Sequence, residues 1–143
     1  MTLSFRYKRV KRPNNIEVKT PSIPVLLSGK GTKYQFIALL DSGADISVVS
    51  EDVAELLGLD ISGRKEEASG IGGKVPAVQS SVNIELGKGH ENYSFSIPIK
   101  VVFNKGGQEI PILLGRSGFF DKFLITFNQK EERVLLKRVT EVV

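Results

Sequence analysis

The chain has 143 residues, 41% hydrophobic and 25% charged, enough for one domain with a sizeable core but too few for two lobes. With no cysteine and one histidine, disulfide frameworks and thiolate chemistry are excluded and little remains for zinc, although carboxylates could hold a hard metal. The net charge of +4 is concentrated at one end: Arg6, Lys8, Arg9, Lys11 and Arg12 stand together, and the remaining fifteen cations face sixteen anions.

Residues 1–20 are therefore expected as a basic N-terminal arm or strand, with residues 21–143 as a single domain. Such an arm can touch nucleic acid or anionic lipid, but a solvated strand is the simpler expectation, so nucleic acid is not an expected partner. No stretch approaches the run of about 18 apolar residues that spans a bilayer. No apolar segment of the signal type follows the N-terminal cations, so a cytoplasmic protein without a transmembrane segment is expected.

In chain order, Ser4 to Lys11 alternates weakly as a strand, with Phe5 and Tyr7 on one face, and Pro13-Asn14-Asn15 breaks it. Ile23 to Leu27 and Lys33 to Leu40 predict two strands joined by a hairpin loop over Ser28-Gly29-Lys30-Gly31-Thr32. The second strand runs into Asp41. Ile46 to Val49 is β-branched and apolar. Ser50 is placed to cap a short helix, Glu51 and Asp52 suit its first turn, and Gly58 can end it. Val53, Leu56 and Leu57 are assigned to its buried face.

Ile61 to Ala68 is charged and leads, as loop or strand, into Gly70-Ile71-Gly72-Gly73. Val75 to Leu86 predicts a strand with Val78, Ser80, Val82, Ile84 and Leu86 on one face, and Gly87-Lys88-Gly89 a turn. Tyr93, Phe95, Ile97 and Ile99 mark the returning strand, which Val101 to Phe103 extends before a turn at Asn104-Lys105-Gly106-Gly107. Ile110 to Leu114 reads as a buried strand ending at Gly115, and Ser117 as the cap of a brief helix through Phe119, Phe120 and Phe123. Leu124 to Phe127 and Arg133 to Leu136 pair across Asn128–Glu132. Many strands with one or two short helices predict an all-β, closed or partly closed barrel.

The stretch with most chemical content is Asp41-Ser42-Gly43-Ala44-Asp45. A carboxylate at the end of an apolar strand is costly to bury unless paired or hydrogen-bonded, and the small residues after it allow a sharp turn. Alone, Asp-Ser-Gly is an ordinary surface turn. Two further segments give it meaning: Ala68-Ser69-Gly70-Ile71-Gly72-Gly73-Lys74 and Ile112-Leu113-Leu114-Gly115-Arg116.

These three segments, in this order, resemble the signature, the glycine-rich flap and the apolar-apolar-Gly strand of the retropepsin-like aspartic proteases. The resemblance covers the chain from about Pro21 to about Lys137 and implies the acid-protease fold. Bilobal relatives carry two Asp-Ser/Thr-Gly turns in one chain, and this sequence has one. Asp60-Ile61-Ser62-Gly63 is the nearest second candidate, at the wrong spacing. A homodimer is therefore implied, with Asp41 of each copy supplying a catalytic pair that hydrolyses a peptide or protein substrate through an activated water.

The same resemblance assigns Ser42 a hydrogen bond across the two-fold axis and pairs Asp45 with Arg116 as a brace of the loop. Gly43, Ala44 and Asp45 would border the substrate, and Gly70, Ile71, Gly72 and Gly73 would form the flap that covers it. Ala44 has no hydroxyl to donate to the carboxylates, which predicts an activity optimum nearer neutral than in relatives with Ser or Thr there. No metal and no cofactor are expected. The C-terminal pair of strands is longer than in viral members, so their dimer sheet cannot be copied, and the N-terminal arm or C-terminal tail is a candidate to replace it.

Other chemistries fit less well. Gly115-Arg116-Ser117-Gly118 lacks the final spacing of a nucleophile elbow, His90 reads as a solvated turn residue, and no glycine pair has the form of a phosphate loop. The rival readings are a non-hydrolytic peptide-binding or scaffold dimer on the same fold, and a nucleic-acid-associated protein using the basic arm.

Overall fold

In a computed structural model, the described residues are 2–11, 14–70, 73–103 and 110–139. The strands are β1 (Thr2–Arg6), β2 (Lys8–Lys11), β3 (Glu17–Thr20), β4 (Ser22–Ser28), β5 (Lys33–Leu40) and β6 (Ser47–Ser50). After helix α1 (Glu51–Leu57) come β7 (Glu66–Gly70), β8 (Gly73–Lys88), β9 (Glu91–Val102) and β10 (Ile112–Leu114). A 3₁₀ turn (Phe120–Lys122) then leads into β11 (Phe123–Asn128) and β12 (Arg133–Arg138).

Seven strands form one sheet in the order β4-β5-β10-β6-β9-β8-β7, and a second pairing of β4 with β8 closes six of them into a ring. The fold is all-β with one short α-helix, as the sequence predicts. Closure matters because it leaves the ring strands without free edges. Its inward side chains, among them Ile23, Val25, Leu27, Ile84, Ile97, Ile99 and Leu114, are almost fully buried. The two tight connections are antiparallel hairpins, β4–β5 and β8–β9. β10 instead lies parallel to β5 and antiparallel to β6, threading between them.

A second sheet runs β1-β12-β11, pairing Thr2 with Lys137 and Phe123 with Arg138. Leu3, Phe5 and Tyr7 of the basic N-terminal segment are buried in the same core as the ring. β1 is thus engaged within its own chain. The single strand expected over Ser4–Lys11 is interrupted at Tyr7, and β2 and β3 form a charged hairpin on either side of the expected break at Pro13-Asn14-Asn15. Phe119, fully buried, packs on Phe123 with ring centroids 5.3 Å apart and joins the two sheets.

Local expectations hold at the helix. Ser50 Oγ accepts from the N–H of Val53 at 3.4 Å, and Gly58 ends α1 in the left-handed conformation at φ 67°. The buried residues are Ala54 and Leu57, however, and Leu56 is 51% exposed. Leu56 lies about 100° around the helix from Leu57 and about 160° from Ala54, so burying those two turns it outward. The β8–β9 turn is also shorter than expected: strand pairing continues through Gly87 and Lys88, leaving Gly89-His90 at the tip. Ser117 caps no helix. Its N–H bonds the carbonyl of Asp45 at 2.9 Å, and the 3₁₀ turn has no side-chain cap. The expected turn at Asn104-Lys105-Gly106-Gly107 lies outside the described residues.

Candidate active site

The site begins where β5 ends. Leu40 stands opposite Leu114 in the parallel β5–β10 pair, and the N–H of Asp41 continues that ladder to the carbonyl of Leu114 at 3.0 Å. The chain then reverses: Ala44 N–H bonds the carbonyl of Asp41 at 3.2 Å, and Gly43 N–H bonds its carboxylate Oδ1 at 2.9 Å. The half-buried carboxylate is thus held over its own turn by a backbone donor. A Cβ at position 43 would stand 3.3 Å from Asp41 Oδ1, so glycine gives this turn its clearance.

The far side of the turn is fixed to the strand after β10. Arg116 N–H bonds Ala44 carbonyl and Ser117 N–H bonds Asp45 carbonyl, both at 2.9 Å. Ser47, 1% exposed, accepts the N–H of Gly115 on its Oγ at 2.9 Å. Gly115 has no room for a side chain, because a Cβ would lie 2.5 Å from the carbonyl carbon of Ile46. Sequence reasoning missed Ser47. A serine two residues beyond Asp45 in a β-branched strand carries no local sign that its hydroxyl faces a backbone N–H from elsewhere.

The structure brings Asp45 and Arg116 together: Arg116 Nη2 donates to Asp45 Oδ1. Both side chains are largely exposed, so the pair orients the loop more than it stabilises the fold. Ser42 is exposed beside Asp41, and Ala44 is half-buried.

Asp60, the other acid in an Asp-x-Ser-Gly context, has a separate use. Ser62 donates to Asp60 Oδ1 from its hydroxyl at 2.6 Å and from its N–H at 3.0 Å. These bonds, the hydroxyl first, hold the Asp60 carboxyl below its ordinary value despite a small opposing cost of burial. It is a local turn brace, and the sequence has a single Asp-Ser-Gly, at Asp41.

β7 and β8 pair down to Gly70 opposite Gly73, where Gly73 adopts φ 102°. Ile71 and Gly72, expected at the tip, lie outside the described residues. Along this hairpin Glu66, Glu67, Ser69, Lys74 and Pro76 are all exposed. A cleft of about 380 Å³ is lined by Pro24, Leu26, Gln35, Glu85 and Tyr93 with their neighbours. Neither it nor two smaller clefts has a residue of the Asp41 turn in its wall.

Among the described residues no helix is long and apolar enough to cross a membrane. Among solved structures, a retropepsin-like aspartic protease from Rickettsia conorii is similar over 95% of this chain and 91% of its own, at 14% identity and TM-score 0.55. EIAV protease complexed with the inhibitor HBY-793 matches at 26% identity and TM-score 0.48, over 68% of this chain and 83% of its own. The retroviral protease-like domain of Ddi1 from Leishmania major matches at 14% identity and TM-score 0.47, over 85% and 97%. None of the curated proteins matches. The family model described as "Aspartyl protease" matches residues 23–117, the stretch that runs from β4 through Asp41 and the β7–β8 hairpin to the Gly115-Arg116 brace, and the chain belongs to that family.

Proposed function

We propose that this protein is an aspartic endopeptidase that works as a homodimer, with one Asp41 from each copy. The observation that carries the reading is the setting of Asp41. It ends a buried parallel strand pair in a turn fixed on both sides by backbone hydrogen bonds, and the sequence carries one Asp-Ser-Gly. Family membership supports peptide hydrolysis as the chemistry.

Two carboxylates about 3 Å apart cannot both ionise cheaply, so the pair holds one proton between them. The ionised member takes a proton from a water whose oxygen attacks the scissile carbonyl carbon. The protonated member gives its proton to the carbonyl oxygen, which yields a gem-diol. Collapse of the gem-diol breaks the C–N bond as the leaving amine takes a proton, and no covalent enzyme intermediate forms. Ser42 reaches across the two-fold axis, Gly43, Ala44 and Asp45 border the substrate, and the hairpin over Gly70-Ile71-Gly72-Gly73 closes as a flap that excludes water.

The test is cleavage of a randomised peptide library by the wild type and by Asp41→Asn. We expect the amide variant to lose activity by at least about a hundredfold, the lower range for removing acid–base catalysis. Equal cleavage by both overturns the reading, and binding without cleavage by the wild type favours the non-hydrolytic scaffold. A pH–rate profile for the wild type is expected to peak above about pH 4, since Ala44 offers no hydroxyl to the carboxylates.

A further inference from the structure

The sheet β1-β12-β11 has one face in the core and one outside it. Leu3, Phe5, Val134 and Leu136 point inward and are almost fully buried, so alternation turns Arg6, Arg133 and Lys137 out on the other face. In register, Arg6 stands directly opposite Arg133, and Leu124 directly opposite Lys137. Like charges facing each other across a strand pair cost stability, so folding does not explain the first pairing. Lys88 adds a fourth cation at the β1 edge, where its Nζ donates to the carbonyl of Ser4. Cations elsewhere have carboxylates beside them: Arg9 has Glu17, Lys19 has Glu132, and Lys74 has Glu67. Among the described residues no carboxylate is paired with Arg6, Arg133, Lys137 or Lys88. The same face is apolar where it is not charged. Leu135 lies on its middle strand, outside the core, and Leu124 at 62% exposure is the most exposed large hydrophobic side chain described.

We infer that this face docks on an anionic lipid bilayer, with the four cations at the headgroups and Leu124 reaching the acyl boundary. Charge complementarity asks for an anionic partner. Shape and side chains choose lipid over nucleic acid. Sheets that hold single strands stack bases on outward aromatic rings, whereas Phe5, Phe123 and Phe127 all share the inward parity of Val134 or Leu136. A duplex groove admits a helix or a two-stranded ribbon, not the flat side of three strands. Exposed leucine among lysine and arginine is instead the composition of interfacial segments, whose charged ends stay in water while aliphatic carbon goes deeper. None of these residues belongs to the Asp41 turn, so the inference goes beyond the proposed function and does not depend on it.

Flotation of the protein with phosphatidylcholine vesicles, with and without phosphatidylserine, is the test. The wild type is expected only on the phosphatidylserine vesicles at low salt, and off them near 1 M salt, where the screening length is about 3 Å. Arg6→Glu combined with Lys137→Glu is expected to weaken binding at least about thirtyfold. Lys30→Glu combined with Arg64→Glu makes the same change in net charge at exposed positions outside this sheet, and is expected to keep most of the binding. Because the chain has no native cysteine, a polarity-sensitive fluorophore can be placed on Leu124→Cys alone, and its emission is expected to shift to the blue on phosphatidylserine vesicles. A wild type that ignores phosphatidylserine, or two charge-reversed variants that bind alike, overturns the inference. Tighter binding to a single-stranded or duplex oligonucleotide, lost in Arg6→Glu with Lys137→Glu, gives the face to nucleic acid and overturns it as well. If that variant does not fold, the fluorophore decides, and an unmoved emission overturns the inference. Cleavage of soluble peptides by the wild type and by Asp41→Asn bears on the proposed function alone.

Discussion

The Asp41 turn and the β7–β8 hairpin are both glycine-bearing reversals of an antiparallel or parallel strand pair, yet the fold holds them very differently. The Asp41 turn is tied by six hydrogen bonds from or to the Leu114–Ser117 segment and its own carboxylate, with Gly115 wedged against Ile46. Among the described residues, the hairpin beyond Ala77 has its own ladder, one backbone bond from Phe103 N–H to the carbonyl of Pro76 at 2.9 Å, an exposed Lys74–Glu67 ion pair at 3.6 Å and a weak Gln79 contact to Glu66. Few buried contacts mean low local stability. One reversal is held by the rest of the fold, the other mostly by its own strand pair.

Three substitutions break or sharpen that contrast. The largest effect is expected from Gly115→Ala, whose methyl has no space beside the Ile46 carbonyl: about 3 kcal/mol of destabilisation, read by denaturant unfolding. A loss below about 1 kcal/mol would show that the anchor can shift. Next comes Ser47→Ala, which strands a buried backbone N–H and should cost roughly 2 kcal/mol. Ser47→Thr should restore both stability and cleavage, whereas a purely volumetric role for Ser47 would let Ala pass. The smallest is Glu67→Gln on the hairpin, expected to change stability by no more than about 0.5 kcal/mol because the pair it breaks is solvent-exposed. Amide exchange should be fast along β7 in the wild type and slow at Asp41 and Arg116. The reverse order would dissolve the comparison.

Much of this was legible in the residues because it is local. The Ser50 cap, the Gly58 stop and the strand that delivers Asp41 each depend on neighbours a few positions away. The clustering of Asp41, Asp45 and Arg116 is a long-range fact, and it was readable only through resemblance to a family. Neither route reaches Ser47, or the parallel bridge between Ile46 and Ser117 that takes Ser117 out of any capping role. Gly118 N–H turns instead to Asp121 Oδ2 at 3.0 Å, and a three-residue turn needs no further cap. Leu56 failed for a related reason. Val53, Leu56 and Leu57 do share an arc of the helix, but packing turns the Ala54–Leu57 side inward, and Leu56 falls on the opposite side from Ala54. The pairing of β1 with β12 has no signature in either segment, since what selects it is the buried row of Leu3 and Phe5 against Val134 and Leu136.

That pairing sets a schedule for synthesis. The ribosome makes Thr2 to Arg6 long before the strand they lie against, Arg133 to Lys137. Until then Leu3 and Phe5 have no place to go, and closing so long a loop is slow. The nascent polypeptide carries these apolar residues uncovered until β12 is made, so β1 should settle after the ring and be exposed to chaperones in the interval.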